Sequence, residues 1–79
     1  MATNRLPANW ADLMSVAQVE KTIDHFKKCV KWYTAKLLLG ENVRPDLEIV
    51  KSRVMLWTAV LEAKRERKPV QHLIEAAKR

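Results

Sequence analysis

The sequence predicts an all-α protein, in which an antiparallel helical hairpin carries a short helix at each end. In residues 16–37 the apolar and aromatic side chains recur at alternating intervals of three and four residues, which places them on one helix face. Residues 47–61 repeat this spacing, and no stretch shows the two-residue alternation of a strand. The two stripes are Val16, Val19, Ile23, Phe26, Val30, Tyr33 and Leu37, and Leu47, Val50, Val54, Trp57 and Leu61.

The N-terminal segment is predicted to be flexible over residues 1–8 and then to form one short helical turn. Asn9 is a residue type that caps helices, and it precedes the stretch "WADLM". Asp12 lies in the first turn of that stretch, where a carboxylate interacts favourably with the positive end of the helix dipole.

The first long helix is predicted to span residues 16–39. Ser15 and Gln18 have the spacing of a capping box, which marks a helix N-terminus. Gly40, the only glycine of the chain, follows "KLLL" and is the expected helix stop.

The second long helix is predicted to span residues 45–67, after a turn of sequence "ENVR". Pro45 is tolerated in a first turn, and Asp46 and Glu48 favour the same helix end. Pro69 disfavours helix at Lys68, so we expect a break there. A final short helix is then predicted within residues 69–79, and all 79 residues form one domain.

Each long helix also carries apolar residues away from its stripe, and two arrangements could bury them. Trp32 and Leu39 lie off the first stripe, and Ile49, Leu56 and Val60 lie off the second. In one arrangement the terminal segments fold back over these second faces within a monomer. In the other, two hairpins pack into a dimeric four-helix bundle or a larger assembly, which we favour because a hairpin with short ends has a thin core.

Positive charge is concentrated in two basic blocks, residues 21–36 and 64–79. The first block holds five lysines against one aspartate, and the second holds six Lys and Arg against two glutamates, within a chain of net charge +6. Such blocks attract anionic partners, and nucleic-acid binding through them would be nonspecific contact with phosphates. The candidate phosphate contacts are Lys27, Lys28, Lys31, Lys64, Arg65, Arg67 and Lys68.

The sequence indicates no enzyme, metal site or cofactor. His25 and Cys29 are four residues apart on one helix face, but two ligands do not complete a zinc site, and His72 is the only other histidine. No glycine-rich phosphate loop or serine elbow is present. With one cysteine, no apolar leader and no run of about 20 apolar residues, we expect a cytoplasmic protein that does not enter membranes.

These observations favour a small helical interaction protein that self-associates and binds a partner protein. The predicted interface consists of the residues off the two stripes, Trp32, Leu39, Ile49, Leu56 and Val60. The alternative is a nonspecific nucleic-acid-binding protein that uses the two basic blocks. In layout alone, the hairpin resembles RNA-binding hairpin dimers of the Rop kind and the needle subunits and chaperones of type III secretion, and this likeness implies no site.

Overall fold

A computed structural model of the chain describes residues 7–78 and shows four helices. They are α1 (Trp10–Leu13), α2 (Val16–Leu38), α3 (Arg44–Arg65) and α4 (Gln71–Ala77). Helices α2 and α3 pack against each other as an antiparallel hairpin, and no strand occurs in the described range. The predicted all-α hairpin is therefore confirmed. Most of the predicted flexible segment, residues 1–6, and the last position of the predicted final helix lie outside the described residues.

Helix α2 begins at the predicted residue and ends at Leu38, one residue before the predicted end. The hydroxyl of Ser15 accepts a hydrogen bond from the Gln18 N–H at 3.1 Å, and the Gln18 side chain accepts one from the Ser15 N–H at 2.8 Å. At the other end, Gly40 has a φ of 85°. The Glu41 N–H donates to the Lys36 carbonyl at 3.2 Å, which closes the last turn as a Schellman motif.

Helix α3 ends two residues earlier than predicted, because it closes in the same way as α2 but without a glycine. Arg67 has a left-handed φ of 59°, and the Lys68 N–H donates to the Ala63 carbonyl at 2.8 Å. Pro69 therefore follows a completed helix end and does not itself cause the stop. At the start of α3, Pro45 lies in the first turn as predicted.

The two stripes form the seam of the hairpin. On α3, Leu47 and Trp57 are buried, on α2 Val19 and Ile23 are buried, and every other stripe residue is half-buried. Because apolar residues at alternating three- and four-residue intervals share one face of a helix, each stripe can pack along the whole of its partner. The seam thus accounts for the antiparallel packing of the two long helices.

The hairpin divides into two halves that differ in how they are covered. We call residues 7–26 and 56–78 the base half, and residues 27–55, which include the turn, the distal half. In the base half, α1 and α4 fold back on the hairpin and complete one core. That core consists of Ala11, Val19, Ile23, Trp57, Val60, Val70 and Ile74.

Two reciprocal hydrogen bonds hold the terminal helices together. The Val70 N–H at the start of α4 donates to the Asp12 carboxylate at 2.6 Å, and the Ala11 N–H in α1 donates to the Gln71 side-chain oxygen at 2.7 Å. Each helix therefore satisfies a free backbone N–H of the other. Lys64 adds a third link by donating to the Asp12 carbonyl at 3.2 Å. Asn9 occupies the predicted N-cap position of α1, but its side chain makes no capping bond, and the Asp12 carboxylate accepts a bond at the start of α4.

Candidate interaction surfaces of the distal half

An open groove runs between α2 and α3 on one side of the distal half. We call it the basic groove, and its volume is about 520 Å³. Its lining comprises three lysines and three apolar residues: Lys27, Val30, Lys31, Lys51, Val54 and Met55.

The groove follows from helical spacing on the two long helices. Lys27 and Lys31 are one turn apart on one flank of α2, and Lys51 and Met55 are one turn apart on the facing flank of α3. Val30 and Val54 belong to the seam and form the floor between them. Met55 is 75% exposed, so an unbranched, adaptable side chain stands in solvent beside the floor. The outcome is an apolar floor with positively charged walls.

The opposite flank of α2 carries an aromatic stripe. His25, Cys29, Trp32 and Lys36 follow one another at intervals of four, three and four residues. Trp32 is 55% exposed, its ring meets Tyr33 edge to face with centroids 4.9 Å apart, and the Lys36 ammonium lies 5.1 Å from the ring centroid. The Lys36 ammonium therefore covers part of one face of the indole, and more than half of the side chain stays exposed.

The structure separates the five predicted interface residues. Trp32, Leu39 and Ile49 are exposed in the distal half. Leu56 is half-buried and packs against the base core. Val60 has 0% exposure, because α4 covers this part of α3, and so it belongs to the core of the monomer and is not surface. Of the five residues, Val60 is therefore the one that is not at the surface.

The candidate phosphate contacts also divide into two groups. The Lys64 ammonium donates a hydrogen bond to the Asp12 carbonyl. The Arg65 guanidinium lies 3.8 Å from the Glu20 carboxylate, and the Lys68 ammonium lies 2.7 Å from the Glu66 carboxylate. Lys27, Lys28 and Lys31, in contrast, form no ion pair with any residue in 7–78. Arg67 occupies the left-handed position that closes α3.

His25 and Cys29 come close to each other but gain no further ligand. The Cys29 sulfur lies 3.8 Å from His25 Nε2. No group of three or more His, Cys, Asp or Glu side chains in residues 7–78 is placed to hold a metal ion. Within the same range, none of the helices has the length and hydrophobicity of a membrane-spanning segment.

Sequence reasoning missed the basic groove and the two hydrogen bonds that join α1 to α4. The groove has a local signal, which is the pair of four-residue spacings beside the seam, Lys27 with Lys31 and Lys51 with Met55. The two hydrogen bonds have no local signal, because each joins residues about sixty positions apart. Comparison with known protein families, curated proteins and solved structures finds no match to this chain.

Proposed function

We propose that this chain is a non-enzymatic cytoplasmic interaction protein that self-associates and binds a partner protein through the distal half of its hairpin. One observation carries the proposal. Six large apolar side chains are exposed in the described residues, and all except Leu13 lie in the distal half. The five in the distal half are Trp32, Leu38, Leu39, Ile49 and Met55.

This distribution supports a binding role because apolar exposure clustered in one region costs solubility unless something covers it. The base half already has its own core, so binding at the distal half leaves that core intact. Trp32 adds an aromatic side chain of the kind that anchors protein interfaces. The location in the cytoplasm is supported by the single free cysteine, Cys29, which has no partner sulfur within the chain.

Self-association is tested by light scattering on the wild type and two matched variants. The wild type should exceed the 9.2 kDa of one chain. Ile49→Glu should lower the molar mass without loss of helix, since Ile49 is exposed on the distal half. Leu13→Glu makes the same kind of change at an exposed apolar residue of the base half and should leave the mass unchanged. A monomeric wild type at high concentration would contradict self-association.

Partner binding through the aromatic stripe is tested separately by capture of a partner with Trp32→Ala. The variant should lose capture while keeping its helix content, because the indole is 55% exposed and its ring lies against Tyr33 and Lys36 of the same helix. If Trp32→Ala captures the partner as the wild type does, the stripe is not the binding surface.

The alternative, nonspecific nucleic-acid binding, is supported by three lysines that form no ion pair with residues 7–78, namely Lys27, Lys28 and Lys31. If these lysines contact phosphates, replacing all three by Gln should reduce the salt dependence of binding by about two to three units of slope. They are a cleaner test than the second block, because a change at Lys64 also breaks its bond to α1. An unchanged salt dependence would show that these three lysines do not contact phosphates.

A further inference from the structure

We infer that the basic groove binds an acidic amphipathic helix of the partner protein. This inference rests on the proposed function and adds to it the chemistry of the partner. It concerns the groove lined by Lys27, Val30, Lys31, Lys51, Val54 and Met55, on the flank opposite to the aromatic stripe.

The shape of the groove fits a helix. It lies between two antiparallel helices and is open along one side, with a volume of about 520 Å³. An apolar ridge of a third helix, with side chains at i, i+3, i+4 and i+7, packs into such a groove and converts the hairpin locally into a three-helix bundle. In the base half α4 already packs on α3 as a third helix, while the distal groove has no such cover from residues 7–78.

The floor of the groove supplies the apolar contact. Val30 and Val54 are half-buried seam residues, and Met55 is largely exposed. Methionine adapts its shape to different partners because it is unbranched and polarizable. A leucine ridge would cover these side chains without disturbing the seam.

The walls of the groove select the charge of the occupant. Lysines stand on both walls, Lys27 and Lys31 on α2 and Lys51 on α3, and none of the six lining residues is acidic. None of the three lysines forms an ion pair with another described residue. A helix that carries Glu or Asp on both sides of its apolar ridge would pair with both walls, since complementary charge steers encounter and fixes orientation.

A second copy of the chain is a poor occupant of this groove. In a two-fold symmetric dimer the same patch meets itself, so the lysines of one groove would face the lysines of the other. Like charges placed opposite each other at an interface are unfavourable. Self-association is therefore assigned to the other side of the hairpin, where Ile49 is exposed.

The experiment titrates the full chain, labelled with ¹⁵N, with a synthetic helical peptide of about four turns. The peptide has leucines at i, i+3, i+4 and i+7 and glutamates on both sides of the ridge, and a control peptide carries lysines in place of the glutamates. We expect the glutamate peptide to bind at least about tenfold more tightly than the control peptide. Amide shifts should map to residues 27–31 and 51–55.

Three variants locate the binding. Met55→Asp and Lys31→Glu should each weaken binding of the glutamate peptide about tenfold or more. Lys28→Glu makes the same charge change on an exposed lysine of α2 that does not line the groove, and it should change the affinity less than about twofold. Circular dichroism on all three variants should show unchanged helix content, because Met55 and the two lysines are exposed.

The outcomes separate this inference from the proposed function. If both peptides bind equally tightly and Met55→Asp weakens both, the groove binds a helix of a partner, but the inference that this helix is acidic is wrong. Equal weakening by Lys28→Glu and Lys31→Glu would indicate diffuse attraction of anions, as nucleic-acid binding requires, and would overturn the groove. If the wild type is an oligomer and Met55→Asp is a monomer, a second copy of the chain occupies the groove and the inference is wrong. A chain that binds neither peptide and stays monomeric would refute the proposed function as well.

Discussion

The base and distal halves of this protein are built from the same two helices but have different surroundings. In the base half, Val60 and Trp57 are buried because α1 and α4 pack over them. In the distal half, Trp32, Ile49 and Met55 remain exposed, because neither α1 nor α4 covers them in the part of the chain that the structure describes. An apolar residue off the seam is therefore buried where a terminal helix packs on it and exposed where none does.

Length explains why the terminal helices cover one half only. Seven residues of α4 extend about 10 Å, whereas the 22 residues of α3 extend roughly 33 Å. Helix α4 therefore covers only part of α3. Its last residue, Ala77, lines a depression together with Leu56 and Ile49 of α3. Most of the buried apolar side chains therefore lie in the base half, and most of the exposed large apolar side chains lie in the distal half.

The largest expected effect comes from removing the buried tryptophan of the base half. Trp57 is 8% exposed, and its ring centroid lies 6.2 Å from that of Trp10. Trp57→Ala should reduce the free energy of unfolding by about 3–5 kcal/mol, which is comparable to the whole stability of a domain this small. Urea denaturation followed by circular dichroism measures it.

Trp32→Ala is the matched control in the distal half. It removes an exposed ring with one edge-to-face contact and one cation contact, so the loss should stay below about 1.5 kcal/mol. If the two substitutions destabilise the protein equally, the division into a stable half and a binding half is wrong.

A smaller effect is expected at the link between α1 and α4. Asp12→Ala leaves the N–H of the buried Val70 without its 2.6 Å acceptor and should cost about 1–3 kcal/mol in thermal or urea unfolding. Asp12→Asn retains a side-chain carbonyl oxygen and should lose less. Equal losses from both variants would show that the carboxylate charge matters more than the hydrogen bond.

The smallest effects concern the two helix ends that close in the left-handed conformation. Gly40→Ala meets no neighbouring atom, so its cost is the backbone strain alone, about 1 kcal/mol or slightly more. Arg67→Gly should stabilise by up to about 1 kcal/mol, because it relieves that same strain at the end of α3. Arg67→Ala removes the charge but keeps the strain, and its melting temperature should therefore stay near that of the wild type.

The helices and the seam between them could be predicted from local signals in the sequence. The three- and four-residue spacing, the Ser15 and Gln18 capping box, Gly40 and Pro45 are all local signals, and each acts within a few residues of its own position. Local signals of this kind predict where helices begin and end and which faces of them are apolar. The end of α3 at Arg65 escaped prediction because arginine is rarely found in the left-handed position that closes a helix.

Which of the residues off the seam are buried depends on how the terminal helices pack on the hairpin. Val60 and Ile49 have the same apolar character and lie on the same flank of α3, yet α4 covers the first and leaves the second exposed. The position of α4 depends on the contacts of Asp12 with Val70 and of Gln71 with Ala11, which join the two ends of the chain. Such contacts depend on where distant segments meet in space, and no periodicity in a single helix encodes that position.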